Sequence, residues 1–120
     1  MATRLIRKFD FHAAHHLPAF PEGHACRRVH GHTYACEVVL EGDIDPATGL
    51  LMEFDALKRV IAPVEARLDH AMLNEIEGLE NPTTELLARW VYQQLKPGLP
   101  ALQMVRLFET PRNGVEYTEA

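Results

Sequence analysis

Six of the chain's seven histidines fall between positions 12 and 32: His12, His15, His16, His24, His30 and His32. Imidazoles crowded in this way suit metal binding or proton transfer near neutral pH. His30-Gly31-His32 stands where a Pro- and Gly-containing loop gives way to an alternating strand. Residues two apart on a strand project to one side, with Cα atoms roughly 6.6 Å apart. Two such rings can converge on one cation, and His15, at the close of the preceding strand, can supply a third ligand from next door. Three histidines leave a fourth position open, which is the catalytic zinc arrangement. A closed structural alternative uses Cys26, His30, His32 and Cys36. Cys36 counts against it, because it shares an alternating face with Tyr34, Val38 and Leu40 and reads as a core thiol. His12, His16 and His24 find no partner in the pattern.

Cys26 lies in the loop four residues before His30, beside Arg27 and Arg28. Cationic neighbours and a nearby metal stabilise a thiolate, which can then act as base or nucleophile. Asp69-His70 offers a carboxylate that can orient an imidazole. Neighbouring residues seldom bond side chain to side chain unless the backbone between them is irregular, so this pair is a weak signal alone. Glu109 closes a strand, where a carboxylate is ordinarily just exposed.

The elements that must position these groups follow from periodicity. Leu5 to Phe11 alternates as a strand closed by His15, and Leu17 to Val29, with Pro18, Pro21 and Gly23, reads as a loop. Thr33 to Leu40 is a second strand. Asp55 is placed to cap a helix reaching Leu68, with Leu57, Val60, Ile61, Val64 and Leu68 as its apolar stripe and Pro63 as a possible kink. A second helix follows Asn81, with Pro82 at its first position and Leu86, Leu87, Trp90, Val91 and Leu95 buried, ending before Pro97. Met104–Glu109 and Val115–Thr118 are two more strands around a turn at Arg112-Asn113-Gly114. The order predicts an α+β fold, a four-stranded antiparallel sheet with two helices on one face. Its open edges call for covering, and an oligomer is the expected solution.

Length and composition agree. The 120 residues form one domain, residues 1–120, with 47% hydrophobic and 24% charged residues. A net charge of −5 speaks against a nucleic-acid partner. No apolar run approaches the roughly 20 residues of a membrane helix. The first eight residues lack the apolar stretch of a signal peptide, and two cysteines are too few for a disulfide framework, so a cytoplasmic location is expected.

Taken in order, Phe11-x-Ala13-Ala14-His15, Cys26-x3-His30-Gly31-His32, Leu68-Asp69-His70, Asn81-Pro82-Thr83-Thr84-Glu85 and Glu109-Thr110 resemble the 6-pyruvoyl-tetrahydropterin synthase superfamily over about Leu5 to Tyr117. The three-residue gap between Cys26 and His30 is similar to that of the 6-carboxy-tetrahydropterin synthase branch, which serves queuosine biosynthesis; the pyruvoyl branch has a longer gap. The resemblance implies the tunnelling fold, in which three subunits join their sheets into a barrel and two trimers stack into a homohexamer with active sites between subunits. It implies one Zn2+ per subunit on His15, His30 and His32, with Cys26, Asp69 and His70 catalytic. Glu109 would anchor the pterin, helped by Thr83, Thr84 and Glu85. A carboxylate can accept the pterin's amino group and ring N–H side by side. The implied reaction converts 7,8-dihydroneopterin triphosphate to 6-carboxy-5,6,7,8-tetrahydropterin, acetaldehyde and triphosphate. Arg27 and Arg28 are the cations on offer for the triphosphate.

Overall fold

The computed structural model describes residues 2–120. Its elements are β1 (Thr3–His15), β2 (His30–Gly42), α1 (Phe54–Leu68), β3 (Ala71–Met72), α2 (Thr84–Leu95), β4 (Leu102–Thr110) and β5 (Asn113–Tyr117). They form a single sheet in the order β3-β1-β2-β4-β5. β1 and β2 pair antiparallel without a break from Thr3↔Gly42 to His15↔His30. β2–β4 and β4–β5 are also antiparallel, whereas β3 runs parallel to β1 over Ala13↔Ala71 and Ala14↔Met72. The four expected strands and two helices are therefore present. The fifth strand makes the sheet mixed, and two residues are too few to show any alternation in sequence.

One face of the sheet is apolar because the strands alternate. Phe9, Phe11 and Ala13 on β1 and Tyr34, Cys36, Val38 and Leu40 on β2 are buried against the helices. The helices answer with Leu57, Ile61, Val64 and Leu68 from α1 and Leu87, Trp90, Val91 and Leu95 from α2. Each such side chain contributes about 1.5–3 kcal/mol through burial. Phe11 and Tyr34 stack with centroids 4.8 Å apart, which fixes the β1–β2 pair just before it reaches the histidines.

Both helices begin differently from expectation. α1 has Glu53 at its N-cap with no side-chain capping bond, and Asp55 lies in the first turn, where a negative charge still complements the helix dipole. α2 is capped by Thr83, whose hydroxyl accepts from the Leu86 amide at 3.1 Å, so Pro82 precedes the cap. Threonine is a strong N-cap because it satisfies an amide the helix leaves unpaired. α1 continues through Pro63, which is exposed, as is Arg59 four residues before it. Water can therefore serve the carbonyl that the missing proline N–H leaves free.

The sheet keeps long open edges. β3 covers β1 only at Ala13 and Ala14, and β5 has no outer partner among the described residues. Ile6, half-exposed on β1, sits on such an edge. No helix among the described residues is long and apolar enough to cross a membrane.

Candidate metal and acid–base site

The β1–β2 register sets His15 opposite His30, and strand parity brings His32 to the same side. The three ring Nε2 atoms face one another. His15 Nε2 and His30 Nε2 are 3.0 Å apart. The other nitrogen of each ring is engaged. His15 Nδ1 donates to the Pro82 carbonyl at 3.0 Å, with the Tyr34 hydroxyl 3.2 Å away, and His30 Nδ1 donates to the Arg28 carbonyl at 2.7 Å. A carbonyl only accepts, so each Nδ1 carries the proton and each Nε2 presents a lone pair. Two lone pairs at 3.0 Å repel unless a cation or a proton sits between them. Backbone carbonyls behind metal-binding histidines hold the tautomer and the ring plane in this way.

Glu109, at the end of β4, joins the cluster. Its Oε1 lies 2.6 Å from His32 Nε2 and 3.7 Å from His15 Nε2. Its Oε2 accepts from the Thr84 hydroxyl at 2.6 Å, which fixes the carboxylate. The His32 contact is short but out of line, because that buried nitrogen has no hydrogen-bond partner. One ligand atom from each of His15, His30, His32 and Glu109 lies within 4.8 Å of the rest, a group that can bind a metal ion. The orphaned His32 nitrogen and the facing lone pairs are what such a cation would satisfy. Burial lowers the pKa of His15 and His32, outweighing the raising effects of the Pro82 carbonyl on His15 and of Glu109 on both. Both rings are thus kept in the neutral form that ligates.

A second group forms after α1. His70 has φ 60°, a left-handed conformation unusual for a residue with a side chain. This is the irregular backbone that lets neighbours bond: Asp69 Oδ2 accepts from His70 Nδ1 at 3.0 Å. Asp69 Oδ1 accepts from the His12 amide at 2.9 Å, and the His70 amide donates to the His12 carbonyl. The His12 amide, and then the His70 ring, hold the Asp69 carboxyl below the usual carboxylate range. An open cavity of about 450 Å³ is lined by His12, Gly31, His32, Thr33 and His70, next to this pair.

Cys26 does not line that cavity. It sits, partly exposed, on a single 3-10 turn over Ala25–Arg27, its amide donating to His24 Nδ1 at 3.0 Å and its carbonyl accepting from the Leu17 amide. Arg27 spends its guanidinium on the Pro18 and Phe20 carbonyls, each at 2.8 Å, and so holds the loop. That leaves Arg28 of the two cations proposed for the triphosphate. Cys36 is buried in the core opposite Phe9 and Leu107, its thiol pushed well above its usual pKa chiefly by burial. Thr83 is used as a helix cap and Glu85 is exposed in the same turn.

Two residues of the site escaped the sequence. Asn74 pins the end of β1 by accepting from the His16 amide at 3.0 Å and donating to its carbonyl at 2.8 Å. His12 supplies the backbone clamp on Asp69–His70. Neither has a signal in spacing, since both depend on which segments meet in space.

The comparisons with known proteins agree with this geometry. The model of the 6-pyruvoyl tetrahydropterin synthase family matches residues 4–120, and the chain belongs to that family. A 6-carboxy-5,6,7,8-tetrahydropterin synthase of Synechocystis is 39% identical, covering 94% of this chain and 91% of that protein. A dihydroneopterin monophosphate aldolase of Pyrococcus furiosus is 38% identical, with 97% of each chain covered. The structure of Caenorhabditis elegans 6-pyruvoyl tetrahydropterin synthase superposes with a TM-score of 0.92 at 26% identity, covering 100% of this chain and 97% of that one.

Proposed function

We propose that the protein is a zinc-dependent lyase that converts 7,8-dihydroneopterin triphosphate, with uptake of water, to 6-carboxy-5,6,7,8-tetrahydropterin, acetaldehyde and triphosphate, for 7-deazaguanine (queuosine) synthesis. The observation that carries this reading is the convergence of three imidazoles, each from a neighbouring strand position, on one point. His15, His30 and His32 would hold the zinc, and three imidazole nitrogens with an open fourth position suit that metal. Bound there, zinc supplies Lewis acidity toward the hydroxyls of the pterin side chain.

The chain's own residues account for the remaining work. Glu109, with Oε2 held by Thr84, accepts the amino group and ring N–H of the pterin. Thr83 and Glu85, at the same helix start, complete the wall. His70, its Nδ1 on Asp69, presents Nε2 as the proton carrier. Cys26 is the thiolate base. Because it stands off the cavity within one chain, it serves a site completed by a neighbouring subunit. The open edges of β1 and β5 are the surfaces through which three sheets would close into a barrel, and two such trimers would form the hexamer.

The test is direct. Zinc-loaded protein and Cys26→Ala are incubated with 7,8-dihydroneopterin triphosphate and the products identified by mass spectrometry with an acetaldehyde assay. Carboxy-tetrahydropterin plus acetaldehyde from the wild type, lost in the variant, is expected. A pyruvoyl product would move the chain to the neighbouring branch. A second reading, aldolase cleavage of dihydroneopterin monophosphate, is favoured by the 38% identity to the Pyrococcus furiosus protein. It predicts turnover of the monophosphate to a two-carbon aldehyde that keeps its phosphate. The remaining reading, a non-enzymatic zinc module using Cys36, requires that Cys36→Ala lose zinc; the core position of Cys36 predicts that zinc is retained.

A further inference from the structure

We propose that His12 is a positioning residue for His70: its ring, tethered by Thr33, holds the His70 imidazole in the orientation from which it exchanges protons in the cavity. The proposal rests on the reading of Asp69–His70 as the acid–base pair. Strand parity sets His12 apart from the metal group. Phe11, Ala13 and His15 face the core, so His12 faces the other side of β1, directly across from Thr33. Its Nδ1 lies 2.9 Å from the Thr33 hydroxyl, which fixes the ring plane. The ring then meets His70 edge-on, with centroids 5.7 Å apart and planes at 63°.

His70 needs such support. Its side chain is 78% exposed, and Asp69 is the one hydrogen-bond partner of its ring among the described residues. A single bond to Nδ1 leaves the ring free to swing about it. Residue 12 removes that freedom from three sides. Its amide holds Asp69, its carbonyl takes the His70 amide, and its ring lies against the imidazole itself. His12, Thr33 and His70 line one open cavity, so the orientation being held is the one presented to a molecule bound there. The Asp69 carboxylate also lies within electrostatic reach of both imidazoles, consistent with one three-residue unit.

The metal-loaded wild type, His12→Ala, His12→Phe and Thr33→Val are compared by steady-state kinetics and by NMR of 15N-histidine-labelled protein, which reads the tautomer and exchange of the His70 Nδ1 proton. In His12→Ala, kcat is expected to fall about tenfold with KM little changed, as for a misplaced catalytic group. The Nδ1 proton should exchange faster. His12→Phe keeps a ring against His70 but loses the bond to Thr33, so it and Thr33→Val should both fall between wild type and His12→Ala. Wild-type kcat and His70 signal in His12→Ala overturn the proposal. So does a His12→Phe as slow as His12→Ala, which would mean that His12 handles the proton itself. If His12→Ala fails to fold, Thr33→Val decides alone, and wild-type behaviour there is the overturning result. Wild-type turnover in His70→Ala would sink the acid–base reading of the pair, while the NMR signal would still report whether His12 orients the ring.

Discussion

The candidate metal group and the proposed proton-transfer group are built in opposite ways. His15, His30, His32 and Glu109 come from three adjacent strands whose hydrogen-bonded register leaves little freedom, and His15 is wholly buried. Every ring nitrogen facing away from the centre in His15 and His30 has a backbone carbonyl. Cys26, Asp69 and His70 sit on a 3-10 turn and a left-handed turn, partly or largely exposed. On the proposed assignment, a single chain completes the first group and leaves the second in two pieces. Binding a metal demands fixed distances, which a sheet supplies. Moving protons on a substrate demands access, which loops at an open edge supply.

Substitutions can break this contrast, and the largest effect should fall on the metal group. His32→Ala removes a ligand from the centre and should abolish both metal binding and turnover while the apolar core keeps the chain folded; metal analysis and circular dichroism read the two separately. Asp69→Asn should lower kcat about a hundredfold, within the range for a disoriented acid–base residue, with metal content unchanged. Its measurement pairs steady-state kinetics with metal analysis.

Acidification sharpens the contrast. Burial holds the His15 and His32 pKa values below the ordinary value of about 6.5. The unfolded chain therefore takes up these protons first as pH falls. Stability of the metal-free protein is full above about pH 6.5 and declines below it toward the folded-state values. Denaturant unfolding of the metal-free protein at pH 7.5 and 5.5 should show the loss, and added zinc should stabilise the protein more at pH 7.5 than at pH 5.5. The smallest effect is expected for Asn74→Ala. It removes two hydrogen bonds to His16 and should cost about 1–3 kcal/mol of stability, with a modest loss of metal affinity through the end of β1. Thermal unfolding and a zinc-binding titration check it.

The division between what the sequence discloses and what it hides follows the same line. The helix stripes and the His30-x-His32 spacing are local, so periodicity reveals them. His15 is legible because β1 and β2 are consecutive and pair antiparallel. Glu109 is legible as a strand-end carboxylate, but its place beside His32 depends on β4 lying next to β2, and spacing along the chain does not state strand order. The turn at His70 is hidden for another reason. Left-handed positions are usually announced by Gly or Asn, and here a histidine occupies one, held by Asp69 and the backbone of residue 12. β3, Asn74 and the His12 clamp likewise exist only once distant segments have met.

The claim that the proton-transfer group is split between chains has its own test. Cys26→Ala and His70→Ala subunits are prepared separately with zinc bound, then co-assembled, with mixed oligomers verified by native mass spectrometry. Each parent should be nearly inactive, and the mixture should regain a substantial part of wild-type turnover, because some sites then pair an intact Cys26 with an intact His70 from another subunit. A verified mixture as inactive as its parents would contradict the account and place both groups in a site formed by one chain.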